Sequence, residues 1–202
     1  VCVTPNGVSG TPRTLSEAII LMNSLPKPTS LSCFLQALSR PLDLYMTSSN
    51  QSLQPSPGER SPRTFIVYPP LVMSIVFEGP AHITLELGYR SAPRRSIKTE
   101  ILFPLTTDVT NTNLFDEVQV GQSTRCAVCH TGEVLTVNPD LPDVDVFESD
   151  VIEPFDFEEV DVESLRQERQ TCDATAEPER CALLSAIFDF GTVQLAPNGI
   201  MF

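Results

Sequence analysis

Two thiols and an imidazole stand together in the run Cys126-Ala127-Val128-Cys129-His130. Two cysteines separated by two residues, with a histidine directly after the second, form the attachment signature for c-type haem. The spacing has a mechanical reason. One helical turn brings both sulfurs to the two vinyl groups of one porphyrin, and the next side chain then meets the iron. A neutral imidazole is a good ligand for haem iron, and two thioether bonds hold the ring permanently. The same thiols admit two other chemistries. A Cys126–Cys129 disulfide would serve dithiol exchange, which usually sits where such a pair opens a helix after a strand in a βαβ unit; the preceding residues 121–125 do not demand that setting. A zinc site would need two more ligands, and the remaining cysteines stand far off and out of knuckle spacing.

The pentapeptide resembles the haem-binding motif of c-type cytochromes, over those five residues alone. The resemblance implies one covalent haem c per chain, bound through Cys126 and Cys129, with His130 as the proximal iron ligand. In the common small members of that family the motif lies near the N-terminus, and a methionine ligand follows in a loop containing Pro and Gly. Here 125 residues precede the motif, 72 follow it, and the downstream methionine is Met201. A different, β-containing scaffold is therefore expected. The second axial position has several candidates: His82, the other histidine; Met201, Met73, Met46 or Met22; a ligand from another subunit; or an open site. A second histidine would favour a low potential and a thioether a higher one.

The elements that must position this site are short. Thr14-Leu15-Ser16-Glu17 fits a capping box, so a helix is expected from about Leu15 to Ser24, ending before Pro26. A second helix is expected over Leu31–Leu38 and a strand over Leu42–Met46. Residues 48–62 are rich in Ser and Pro and read as a surface loop. Four strands follow at Thr64–Tyr68, Leu71–Phe77, His82–Tyr89 and Ile97–Phe103, separated by turn residues, which predicts an antiparallel sheet or small sandwich. Val118 and Val120 suggest one more strand. Helices are expected at Val162–Gln170 and Arg180–Phe190, with a loop or single strand over Gly191–Phe202. The fold class is α+β: a β-rich scaffold with short N-terminal helices at 1–120, then a haem-bearing, loop-rich and partly helical region at 121–202, with one continuous fold as the alternative.

A formal net charge of -13 excludes nucleic acid and anionic lipid surfaces as partners. No apolar run reaches the length of a membrane span. Six cysteines suit an oxidising compartment, and the chain starts at Val1 without a signal peptide; a processed product in the periplasm or exterior of a bacterium is expected. With two cysteines assigned to haem, local pairing joins Cys2 to Cys33 and Cys172 to Cys181. Fifteen carboxylates lie between residues 140 and 179. Asp140, Asp143, Asp145, Glu148 and Asp150 could in principle hold calcium, but their spacing matches no EF-hand loop, so a solvated acidic face that steers a cationic partner is the simpler expectation. Arg94, Arg95 and Lys98 form the one compact basic patch, which could meet that acidic face on a neighbouring copy.

Together these features point to a mono-haem electron carrier between redox partner proteins, working alone or inside a homo-oligomer or larger assembly. It is not expected to be an enzyme; a haem peroxidase would need an open iron position and a distal acid or base. The alternative is a disulfide-stapled cell-surface domain, such as an adhesin or filament subunit, without haem.

Overall fold

The computed structural model of the chain describes residues 2–49, 52, 54–152 and 158–197. Its first helix, α1 (Leu15–Ser24), begins where Thr14 Oγ1 accepts the backbone N–H of Glu17, and the Glu17 carboxylate reaches back to the N–H of Arg13. The first contact satisfies a donor that a helix start leaves unpaired, and the second ties the preceding residue to the first turn. Helix α2 (Leu31–Ala37) is capped in the same way by Ser30 on Cys33 N–H. Helix α3 (Val162–Thr171) is capped by Asp161, and α4 (Pro178–Phe188) carries proline in its first turn, where no N–H partner is needed.

Among the described residues eight strands build the main sheet: β1 (Leu42–Thr47), β2 (Arg63–Tyr68), β3 (Leu71–Ile75), β4 (Thr84–Ala92), β5 (Arg95–Leu102), β8 (Val134–Asn138), β9 (Leu141–Asp150) and β10 (Val193–Leu195). A separate two-stranded ribbon pairs β6 (Gln119–Val120) with β7 (Ser123–Thr124). The spatial order of the main sheet is β10-β1-β2-β3-β4-β5-β9-β8. Every pairing is antiparallel except β1 with β10.

The α+β class therefore holds, with a large sheet rather than a sandwich. Strands from residues 121–202 enter that same sheet at both edges, so sequence position 120 marks no break in it. Strand β9 of the β8–β9 hairpin falls inside the stretch expected to be a solvated acidic face. Its acids alternate with Val144 and Val146, which turn toward the core.

One sheet face is apolar. Leu44, Ile66, Met73, Leu87 and Ile97 are buried in a single cluster with Leu21 and Met22 of α1, Phe34 and Leu35 of α2, and Leu183, Leu184 and Ile187 of α4. Alternation within each strand sends the intervening residues to the opposite face. There Tyr45, Phe65, Val67, Val72 and Ala196 make a smaller cluster, and beside it lies a polar cleft.

Both expected disulfides are present, Cys2–Cys33 and Cys172–Cys181. The second lies beside a buried cation. Arg180, 4% exposed, forms ion pairs with Glu78, Glu168 and Glu177, and donates to the carbonyl of Arg60 at 3.0 Å. The Arg60 side chain meets the same three carboxylates from the solvent side. Among the described residues no helix is long and apolar enough to cross a membrane.

Candidate functional site

The cleft floor follows from strand register. Phe65, Ser74, Glu86 and Glu100 are successive cross-strand neighbours on β2 to β5, and Val67, Val72, Gly88 and Lys98 form the next row. Polar residues at every second position of otherwise apolar strands thus gather on one face. Arg63 pairs with Glu86, donates to Ser74 and lies 4.8 Å above the centre of the Phe65 ring. Gly88 adds no side chain to the floor. The cleft encloses a cavity of about 130 Å³ and opens to solvent.

Cys126, Cys129 and His130 line the same cleft. They sit on a short 3-10 turn, Arg125–Val128, continued by backbone bonds from Cys129 N and His130 N to the Cys126 carbonyl. The single helical turn read from the spacing is therefore present. Neither thiol is bonded to the other: Cys126 is half-buried, Cys129 is exposed, and both are free while the other four cysteines are paired. Burial pushes the Cys126 thiol up in pKa, against a hydrogen bond involving Thr124.

Three anchors fix the turn. On its near side, Glu133 accepts hydrogen bonds from Ser123 Oγ, Thr124 N–H and Thr124 Oγ1 at 2.7, 2.9 and 2.5 Å. From above, Arg125 reaches the floor and donates to Glu100 at 2.8 Å. Beyond the turn, Arg95 grips both Asp150 Oδ1, at 2.8 Å, and the Gly132 carbonyl, at 2.7 Å. Gly132 adopts φ +63°, and a Cβ there would come within 2.9 Å of Asp150 Oδ2 and 3.0 Å of Arg95 Nη1. Gly132→Ala is therefore expected to destabilise the fold by about 1–3 kcal/mol, seen as a lower urea midpoint.

His130 is set by its neighbour strand. Its Nδ1–H donates to the Asp150 carbonyl at 2.9 Å, which leaves Nε2 as the nitrogen with a lone pair. Desolvation, reinforced by the positive charge of Lys98, lowers the ring's pKa to about 4, so the imidazole is neutral at physiological pH. This is the protonation state a haem-iron ligand needs, with the other nitrogen held as such ligands usually are.

Glu100 is 5% exposed. Burial and the nearby Glu86 outweigh the attraction of Arg125, and its carboxyl titrates at about 6 rather than 4.5. A raised carboxyl favours the fold while protonated; that contribution is complete below pH 4.5 and is lost as pH rises through 6. Between pH 4.5 and 7 the native chain is expected to lose about 2 kcal/mol relative to Glu100→Gln, measurable from urea midpoints across that range.

The structure does not bring His82 to the cleft. It lies in a 3-10 turn, Pro80–Ile83, ahead of β4 rather than in the strand, with Nδ1 against the Gly79 carbonyl and Nε2 2.7 Å from Glu179. Met22, Met46 and Met73 are fully buried in the core on the other side of the sheet. Met201 lies outside the described residues.

The acidic set does not converge either. Asp140 accepts the N–H of Ser16 at the start of α1, while Glu148 and Asp150 pair with Arg95. Among the described residues no group of three or more His, Cys, Asp or Glu is placed to hold a metal ion. Nor is the basic patch a free face: Arg95 is committed to β9, and Lys98 is half-buried in the cleft.

Of the floor residues, Lys98 was legible in the sequence only as part of the basic patch, and Arg63, Glu86 and Glu100 were not singled out. Their signal was the period-2 recurrence in Glu86-Leu87-Gly88 and Ser96-Ile97-Lys98-Thr99-Glu100. Comparisons with family models, with curated proteins and with solved structures give no match to this chain.

Proposed function

We propose that this chain is an exported mono-haem c-type cytochrome that carries single electrons between redox partners. One observation carries the reading: two unpaired thiols on one helical turn line a solvent-open cleft beside a neutral imidazole whose Nδ1–H is already committed. The donor set fits haem c. Cys126 and Cys129 would hold it by thioether bonds and His130 Nε2 would ligate its iron. When bound, the haem supplies a one-electron couple.

The chain's own residues bind and orient. Glu133, Arg125 and Arg95 hold the attachment turn to the sheet, and Asp150 fixes the imidazole tautomer. One electron arrives from a reduced partner and leaves to an oxidised one, with no bond made or broken in the protein. The two disulfides accord with an oxidising compartment. The net charge of -13 favours a cationic partner, met through electrostatic steering at low ionic strength. The test uses protein exported to a bacterial periplasm equipped for haem attachment. Intact mass after denaturation is expected to exceed that of the polypeptide by one haem, with sharp Soret and α bands on reduction. A bare polypeptide with a Cys126–Cys129 disulfide overturns the proposal and restores the reading of a stapled interaction domain.

A further inference from the structure

Lys98 takes no part in holding the attachment turn, yet it stands against the carbonyl that orients His130. Its Nζ lies 3.0 Å from Ser149 Oγ and 3.4 Å from the Asp150 carbonyl oxygen, the same oxygen that accepts His130 Nδ1–H. At 3.4 Å the contact is long for a hydrogen bond, so its force is the ammonium charge acting on a polarisable oxygen. Nearby carboxylates are engaged elsewhere. Asp150 binds Arg95 and Thr131, and Glu133 binds Ser123 and Thr124. Desolvation lowers the Lys98 amine to about 8, which keeps it mainly charged at neutral pH.

We infer that Lys98 raises the reduction potential of the haem bound at His130, by drawing electron density from the Asp150 carbonyl and so limiting the basicity of the imidazole. Two effects share this sign. A ligand histidine that donates to a stronger acceptor becomes a better donor to oxidised iron, and a cation competing for that acceptor weakens the push. A fixed positive charge beside the site also disfavours the added charge of the ferric state. Lys98 is thus a positioning residue that acts through Asp150. The inference rests on the haem reading above.

Optical redox titration of the holoprotein tests it, with Lys98→Gln removing the charge while keeping a donor and Lys98→Arg keeping the charge. Lys98→Gln is expected to shift the equilibrium roughly tenfold toward the oxidised form, about 59 mV lower for one electron, with Lys98→Arg close to the native protein. An unchanged potential in Lys98→Gln overturns the inference. So does an equal fall in both variants, because that marks a structural effect. If Lys98→Gln fails to fold, Lys98→Met provides the same comparison. Native protein that holds no haem after denaturation sinks the haem reading and this inference together, whereas haem with an unshifted potential sinks this inference alone.

Discussion

A chain in which Cys126 and Cys129 are both exchanged for serine is expected to fold and to retain no haem through denaturation. Cys129 is exposed and Cys126 half-buried, and neither is in a disulfide, so the fold should lose only about 1 kcal/mol or less. Glu133, Arg125 and Arg95 hold the turn without help from either sulfur. Loss of the pigment can then be read as loss of attachment rather than of structure. Each single variant is expected to keep covalent haem through the remaining thioether at lower yield. A haem stain on a denaturing gel, beside intact mass, separates these cases. Covalent haem persisting in the double variant would place attachment elsewhere and end the present account.

The largest stability effect is expected from Arg180→Met. Removing one partner of a fully buried ion pair costs about 3–5 kcal/mol; the carboxylates left here are partly exposed, so a loss near the bottom of that range, about 3 kcal/mol, is expected. Here Glu78, Glu168 and Glu177 would all lose their inner cation, and Arg60, on the solvent side, offsets only part of that loss. Against an ordinary stability of about 5–15 kcal/mol, the variant should show a much lower urea midpoint. Arg60→Met is the control. Its guanidinium meets the same carboxylates but is half exposed, and exposed pairs contribute about 1 kcal/mol or less. Equal effects from the two substitutions would show that burial does not set the strength of this cluster.

The elements legible in the sequence were those written locally. Thr14 and Glu17 announce α1, the proline after Leu25 announces its end, and apolar alternation marks β2 to β5. The two disulfide pairs follow from short separations once Cys126 and Cys129 are set aside. The hairpin β8–β9 was hidden because Asp143, Asp145 and Glu148 mask the inward Val144 and Val146, and charge suggested a solvated surface. His82 looked like a strand residue because the apolar run that follows it reads continuously into β4; Pro80 instead starts a 3-10 turn. Within the site, the attachment turn was visible in five consecutive letters. Its support was not, because Asp150, Lys98 and Glu100 come to His130 and Arg125 only through strand register, which no local pattern encodes.

Strand β10 lies parallel to β1, where Gln194 donates to Asp43 across 151 residues of chain. That edge cannot be completed until the late segment has been made. Assembly dominated by such distant pairings is slow. A newly emerged polypeptide therefore spends an appreciable interval with the Leu42–Thr47 border uncovered on that side, a row of unpaired backbone groups open to another strand.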